Sequence, residues 1–92
     1  MQLTRILEQE PEHHRARLLL GQVFWNQQDD RAFREWSMVP PEASQEYGIS
    51  AYLAGVANLD RGRAGVAESH LLAAIQYRPK YTPAIDALVN LY

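Results

Sequence analysis

The sequence predicts an all-α fold built on an internal repeat, and three observations carry that prediction. Gly21 and Gly55 lie 34 residues apart, and the same step aligns Leu20 with Ala54 and Leu88, and Phe24 with Asn58 and Tyr92. Pro11 and Pro79 lie two such steps apart. No segment alternates apolar and polar residues for long enough to make a strand. A period of this size marks an architecture in which each unit buries its apolar face against a neighbour.

The elements follow in order. A leading helix covers about residues 2–9 and carries Leu3, Ile6 and Leu7. A second covers about 12–27, with Gly21 in its interior. Gly there costs roughly 1 kcal/mol against Ala, so a close helix–helix contact is expected to offset it. The third covers about 30–39, with Ala32, Trp36 and Val39 as its inward stripe. Gln27-Gln28-Asp29 makes the turn before it, Asp29 or Asp30 is expected as N-cap, and Pro40-Pro41 ends it. The fourth, about 42–60, contains Gly55 and is extended backwards by Glu42 to Tyr47. Gly62 ends it, because a left-handed residue is needed there and only Gly takes it freely. The fifth, about 64–78, turns Ala67, Leu71 and Ala74 inward at i, i+4 and i+7, and Pro79 stops it. The last runs from about 83, with Thr82 as N-cap and Pro83 at the first helical position.

The order Gly55, Gly62, Ala67, Leu71, Ala74, Pro79 resembles the tetratricopeptide repeat (TPR) family, whose pattern runs Leu-Gly, an aromatic, a turn Gly, Ala-x3-Phe, Ala and Pro. The resemblance covers essentially the whole chain as a single domain: copy one at about 14–47, copy two at about 48–81 and a partial repeat at 82–92. Copy two is the better match. Copy one has a turn one residue shorter, and the family Trp is replaced by Arg17, Ala51 and Ile85. The resemblance implies a right-handed superhelical stack of antiparallel helix pairs, about two repeats with partial helices at each end. It further implies a scaffold or adaptor that holds a protein or peptide in a concave groove. By resemblance the groove positions fall on Arg15, Leu18, Gln22, Trp25 and Asn26 in copy one. In copy two they fall on Ile49, Tyr52, Val56, Leu59 and Asp60, and on the last helix on Asp86 and Asn90. Such a mixture of apolar and hydrogen-bonding side chains suits an amphipathic helix or an extended segment. Trp25 and Tyr52 are the expected anchors, although both would equally serve as core, and further helices of a longer protein would equally cover this face. Heat-shock co-chaperones of the family grip a C-terminal carboxylate with a basic clamp. The matching positions, Leu18, Gln22, Leu53, Pro83 and Ala87, include no basic residue, so that ligand is not expected.

Composition narrows the function classes. A hydrophobic fraction of 47% with 22% charged residues is that of a globular chain. A formal charge of −2 argues against nucleic acid as a partner, and no apolar run is long enough for membrane insertion. With no Cys, disulfides and thiolate metal sites are excluded. No signal-peptide pattern is visible, which favours a cytoplasmic setting. His13-His14 with Glu10 and Glu12 is the one cluster suggesting a metal. Adjacent histidines point about 100° apart on a helix, so a solvated helix start is expected and no metal or other cofactor is assigned. His70 is expected at the surface or the groove. Asp29-Asp30 reads as a cap, Glu35 and Asp60 have no near carboxylate partner, and no catalytic residue is predicted.

Two rival readings stand beside the adaptor. One is a self-associating or interior structural segment of a larger TPR protein; the other is an accessory domain of an enzyme. The first gains weight from the ends of the chain. The last helix carries Ile85, Leu88, Val89, Leu91 and Tyr92 with no following partner, and the leading one carries Leu3, Ile6 and Leu7 with no preceding one. Such stripes predict a piece of a longer protein, or a homo-oligomer formed through the terminal helices.

Overall fold

Helix lengths follow the breakers in the sequence. In the computed structural model, which describes residues 2–92, six helices run in chain order: α1 (Gln2–Gln9), α2 (His14–Asn26), α3 (Arg31–Ser37), α4 (Ser44–Asp60), α5 (Ala64–Tyr77) and α6 (Thr82–Leu91). Among the described residues there is no strand, and no helix is long and apolar enough to cross a membrane.

The expected bounds hold to within two residues, and the differences have local causes. Residues 11–13 form a turn rather than the start of α2, and His13 is its N-cap: the Ala16 N–H donates to His13 Nδ1 at 3.1 Å. Glu42 also stays outside α4, which begins at Ser44 after the Pro40-Pro41 turn. Asp30 sits at the N-cap of α3 but makes no capping bond with its side chain. Asp29 does that work instead, accepting from the Arg31 N–H at 2.9 Å and from the Arg31 guanidinium at 2.6 and 2.9 Å. Thr82 is the first helical residue rather than the cap. Tyr81 holds the cap position with no side-chain bond, and Pro83 lies in the first turn.

Each helix packs on the next, and α4 also packs on α2 and α6, whereas α3 and α5 do not approach closely. The expected stripes are buried: Ala32, Trp36 and Val39 of α3, and Ala67, Leu71 and Ala74 of α5. Both mid-helix glycines lie at close contacts. A Cβ on Gly55 would stand 2.9 Å from Leu71 Cδ2, and one on Gly21 would stand 2.6 Å from Trp36 Cδ1. Gly62 has φ +73° and closes α4 as expected, while Gln28 closes α2 with φ +59°.

The core falls into three clusters. Leu18, Ala32, Trp36, Val39, Ala54 and Ala57 form one, joined by Trp25 and Phe33. Ala51, Leu71, Ala74, Ala84 and Leu88 form the second. Leu7 of α1 packs on Ala16 and Leu20 of α2 in the third. α4 feeds the first two, burying Gly48, Ser50, Ala51, Ala54, Gly55, Ala57 and Asn58 over about half of its circumference. On α6, Leu88 is buried and Leu91 half-buried, whereas Ile85, Val89 and Tyr92 are exposed.

Candidate functional site

α2 and α4 lie side by side, and the side chains on their shared outer surface line two hollows. The first, of about 480 Å³, is lined by Arg15, Leu18, Leu19 and Gln22 of α2 with Gln45, Glu46, Ile49 and Leu53 of α4. Its wall is mostly apolar, and Arg15 and Glu46 bring opposite charges to it. Leu19 contributes the most exposed apolar surface, at 56%. The second, of about 380 Å³, lies at the other end of the same pair and is lined by Trp25, Asn26, Gln28, Asp60 and Arg61. Gln22 Nε2 donates to Asn26 Oδ1 at 3.2 Å, so a hydrogen-bonded pair stands on α2 between them.

Seven of the expected groove residues meet at these hollows: Arg15, Leu18, Gln22 and Ile49 at the first, and Trp25, Asn26 and Asp60 at the second. The rest do not. Tyr52 meets Tyr81 edge-on at 5.3 Å and, with Leu59, packs on the second core cluster. Val56 is half-buried, and Asp86 and Asn90 are exposed on α6 but line neither hollow.

Leu18 needs a correction as a contact residue. It is 8% exposed and belongs to the first core cluster, and its carbonyl accepts from Trp36 Nε1 at 3.4 Å. Trp25 is likewise held by packing. Its ring centroid lies 5.5 Å from that of Phe33 and 6.5 Å from that of Trp36, with the Arg61 guanidinium 5.0 Å above it. Both expected anchors, Trp25 and Tyr52, therefore spend much of their surface inside the fold.

Leu19, Gln45 and Glu46 were absent from the expected face, and Leu53 entered it only as a clamp position. Leu18-Leu19-Leu20 carried a usable signal, since three consecutive helical residues spread over about 200° and cannot all face inward. Gln45 and Glu46 lie on the backward extension of α4, outside any regular repeat position.

The electrostatics of this surface are local. Arg61 bonds Asp30 at 2.5 Å, and this hydrogen bond holds the Asp30 carboxyl below the usual carboxylate range. Arg31 does the same for Asp29. His13 is committed to capping α2 through Nδ1, and among the described residues no group of three or more His, Asp or Glu is placed to share an ion.

His70 is half-buried. It lines a hollow of about 350 Å³ between α3 and α5, walled by Phe33, Trp36 and Tyr47 and floored by Ser50, Ala51 and Ala54 of α4. Burial there pushes its imidazole pKa down. Set against protein-family models, curated proteins and solved structures, the chain matches none.

Proposed function

We propose that this chain is a TPR-type interaction module that holds an amphipathic helix or extended segment of another protein across α2 and α4. The order of helix contacts supports the TPR arrangement. α2, α4 and α6 lie side by side as first helices, and α3 and α5 each bridge the two first helices that flank them in sequence. The observation that carries the functional reading is convergence. Arg15, Gln22 and Ile49, assigned to one face by resemblance, come from two helices to line one apolar hollow over the buried Leu18.

A partner suited to it presents one or two aliphatic or aromatic side chains, flanked by an acid toward Arg15 and a base toward Glu46. Apolar side chains seated in a desolvated hollow supply most of the affinity, and the flanking charges set direction. No catalytic step belongs to this reading, and the chain works by positioning its partner.

Titration of the isotope-labelled chain with a panel of amphipathic peptides tests it. Binding is expected to shift the Leu19, Ile49 and Leu53 resonances. Leu19→Asp, a change at an exposed position, is expected to weaken binding at least about tenfold while preserving helix content. Peptides that bind the variant as well as the wild type, or that shift a different surface, would refute the assignment.

A further inference from the structure

The α1–α2 junction repeats the spacing and the turn bonds of the α5–α6 junction. α1 ends at Gln9 and α5 at Tyr77, while α2 begins at His14 and α6 at Thr82, each pair 68 residues apart. The Glu10 N–H donates to Ile6 O at 2.7 Å, and the Arg78 N–H to Ala74 O at 2.8 Å. The His13 N–H donates to Glu10 O, and the Tyr81 N–H to Arg78 O, both at 3.0 Å. α1 therefore stands to α2 as α5 stands to α6.

α5 has a second neighbour. Through Leu71 and Ala74, both 0% exposed, it packs on Ala51 and Gly55, on the face of α4 that the buried Asn58 continues. The counterparts of Leu71 and Ala74 in α1 are Leu3 and Ile6, which are only half-buried. The counterparts of Ala51, Gly55 and Asn58 are Ile85 and Val89 of α6 and Tyr92 at its C-cap, which are 36%, 65% and 78% exposed. One molecule thus carries at opposite ends both halves of an interface that it already makes in its middle.

We infer that α6 of one copy is the seat for α1 of a second copy, so that copies of this chain add head to tail. The α4–α5–α6 arrangement then continues unbroken as α6 followed by α1 and α2 of the next molecule. Val89 stands where Gly55 admits Leu71, so the incoming α1 rides further out than α5 does on α4. An apolar stripe at i, i+4 and i+7 facing another is the contact by which helices associate in water. The two surfaces differ, so the interface is heterologous. Each added copy presents a fresh α6, and growth is open-ended unless the rotation between copies closes a ring.

Sedimentation of the 92-residue chain from about 1 µM to about 1 mM tests this. The average mass is expected to rise past that of a dimer. Val89→Lys alters an exposed side chain, so helix content is expected to stay the same and growth to stop at monomer. That variant keeps an intact α1. Labelled Val89→Lys chain mixed with unlabelled wild type is therefore expected to show shifts at Leu3 and Ile6. A wild-type chain that is monomeric throughout overturns the inference. So does a Val89→Lys chain that grows like the wild type, or one whose α1 signals ignore the wild type, as pairing of α6 with α6 would produce. The hollow between α2 and α4 takes no part, so loss of peptide binding and loss of growth are separable results.

Discussion

Helix pairs α2–α3 and α4–α5 make the same turn with different residues. The Asp29 N–H donates to Phe24 O and the Arg63 N–H to Asn58 O, both at 2.8 Å, so each first helix closes with the same six-to-one bond. The left-handed residue is Gln28 in one pair and Gly62 in the other, 34 residues apart. Beyond it the pairs diverge. Ala32 follows Gln28 by four positions, whereas Ala67 follows Gly62 by five. The Ala32 and Phe33 N–H groups reach back three residues, to Asp29 O and Asp30 O, while the Ala67 N–H reaches back four, to Arg63 O. Tighter 3₁₀ winding of the first turn of α3 absorbs the missing residue and still delivers the stripe to the core. The backbone repeat is thus set by helix ends and turn bonds, and the side chains between them are free to differ. They differ most where Trp36 covers Gly21 and Leu71 covers Gly55, and where an Arg17–Glu35 ion pair stands at the positions that Ala51 and His70 occupy in the second pair.

The ion pair offers the largest effect. Arg17 and Glu35 meet at 2.8 Å with 11% and 12% of their side chains exposed, and Arg17 also donates to Pro11 O at 3.1 Å. Removing one partner leaves a nearly buried charge unmatched. Glu35→Met is therefore expected to cost about 3 kcal/mol in urea unfolding, while Arg17→Met with Glu35→Met recovers most of the loss. A double variant as unstable as the single one would contradict this account of the pair.

The glycines come next. Gly55→Leu and Gly21→Leu are each expected to lower stability by about 1–3 kcal/mol through overpacking. Gly21 should lie at the upper end, because the bulky Trp36 ring packs against both Phe33 and Trp25, whereas the Leu71 methyls can turn. Thermal unfolding that ranks the two in reverse would show that Trp36 is less fixed than its burial suggests.

A smaller effect is expected at the turn. Gln28→Gly makes the first pair like the second and should raise stability by about 1 kcal/mol, with Gly62→Gln lowering it by a similar amount. If neither shifts the midpoint, left-handed strain is not what separates the two turns.

The smallest effect belongs to His70. Burial disfavours its imidazolium, so its pKa in the fold lies below the unfolded value of about 6.5. Its neutral form is the one the fold accepts. The contribution is complete above about pH 6.5 and is lost as pH falls through that value toward the folded pKa. His70→Gln is expected to flatten the decline in stability between neutral and mildly acidic pH, and an unchanged slope would assign that decline to other groups.

Much of the fold was legible because Gly62, Pro79 and the Pro40-Pro41 pair punctuate it, and because Ala67, Leu71 and Ala74 keep helical spacing. The caps were legible in part. Asp29 and Asp30 were both offered at the start of α3, where Asp30 holds the cap position and Asp29 makes the side-chain bond, whereas Thr82 falls one residue inside α6 and leaves its cap position to Tyr81. The candidate site was half legible, for a physical reason. A repeat position fixes which way a side chain leaves its helix, and Arg15, Gln22 and Ile49 do share the wall of one hollow. It does not fix how near the next helix lies, and that distance turned Leu18 into core and drew Tyr52 onto Tyr81. Leu19 and Glu46 escaped because one sits beside two buried leucines and the other on an irregular extension.

The small residues around α4 have a mechanical consequence. α4 alone packs closely on α2 and α3 at one flank and on α5 and α6 at the other. Its amide protons can exchange with solvent only when both larger clusters open together, whereas α1 and α6 are able to fray without disturbing it. Hydrogen exchange should therefore be slowest in the middle of the chain and quicken toward both ends. A pulling force along the stack would detach the terminal helices first and reach the α4 seam last.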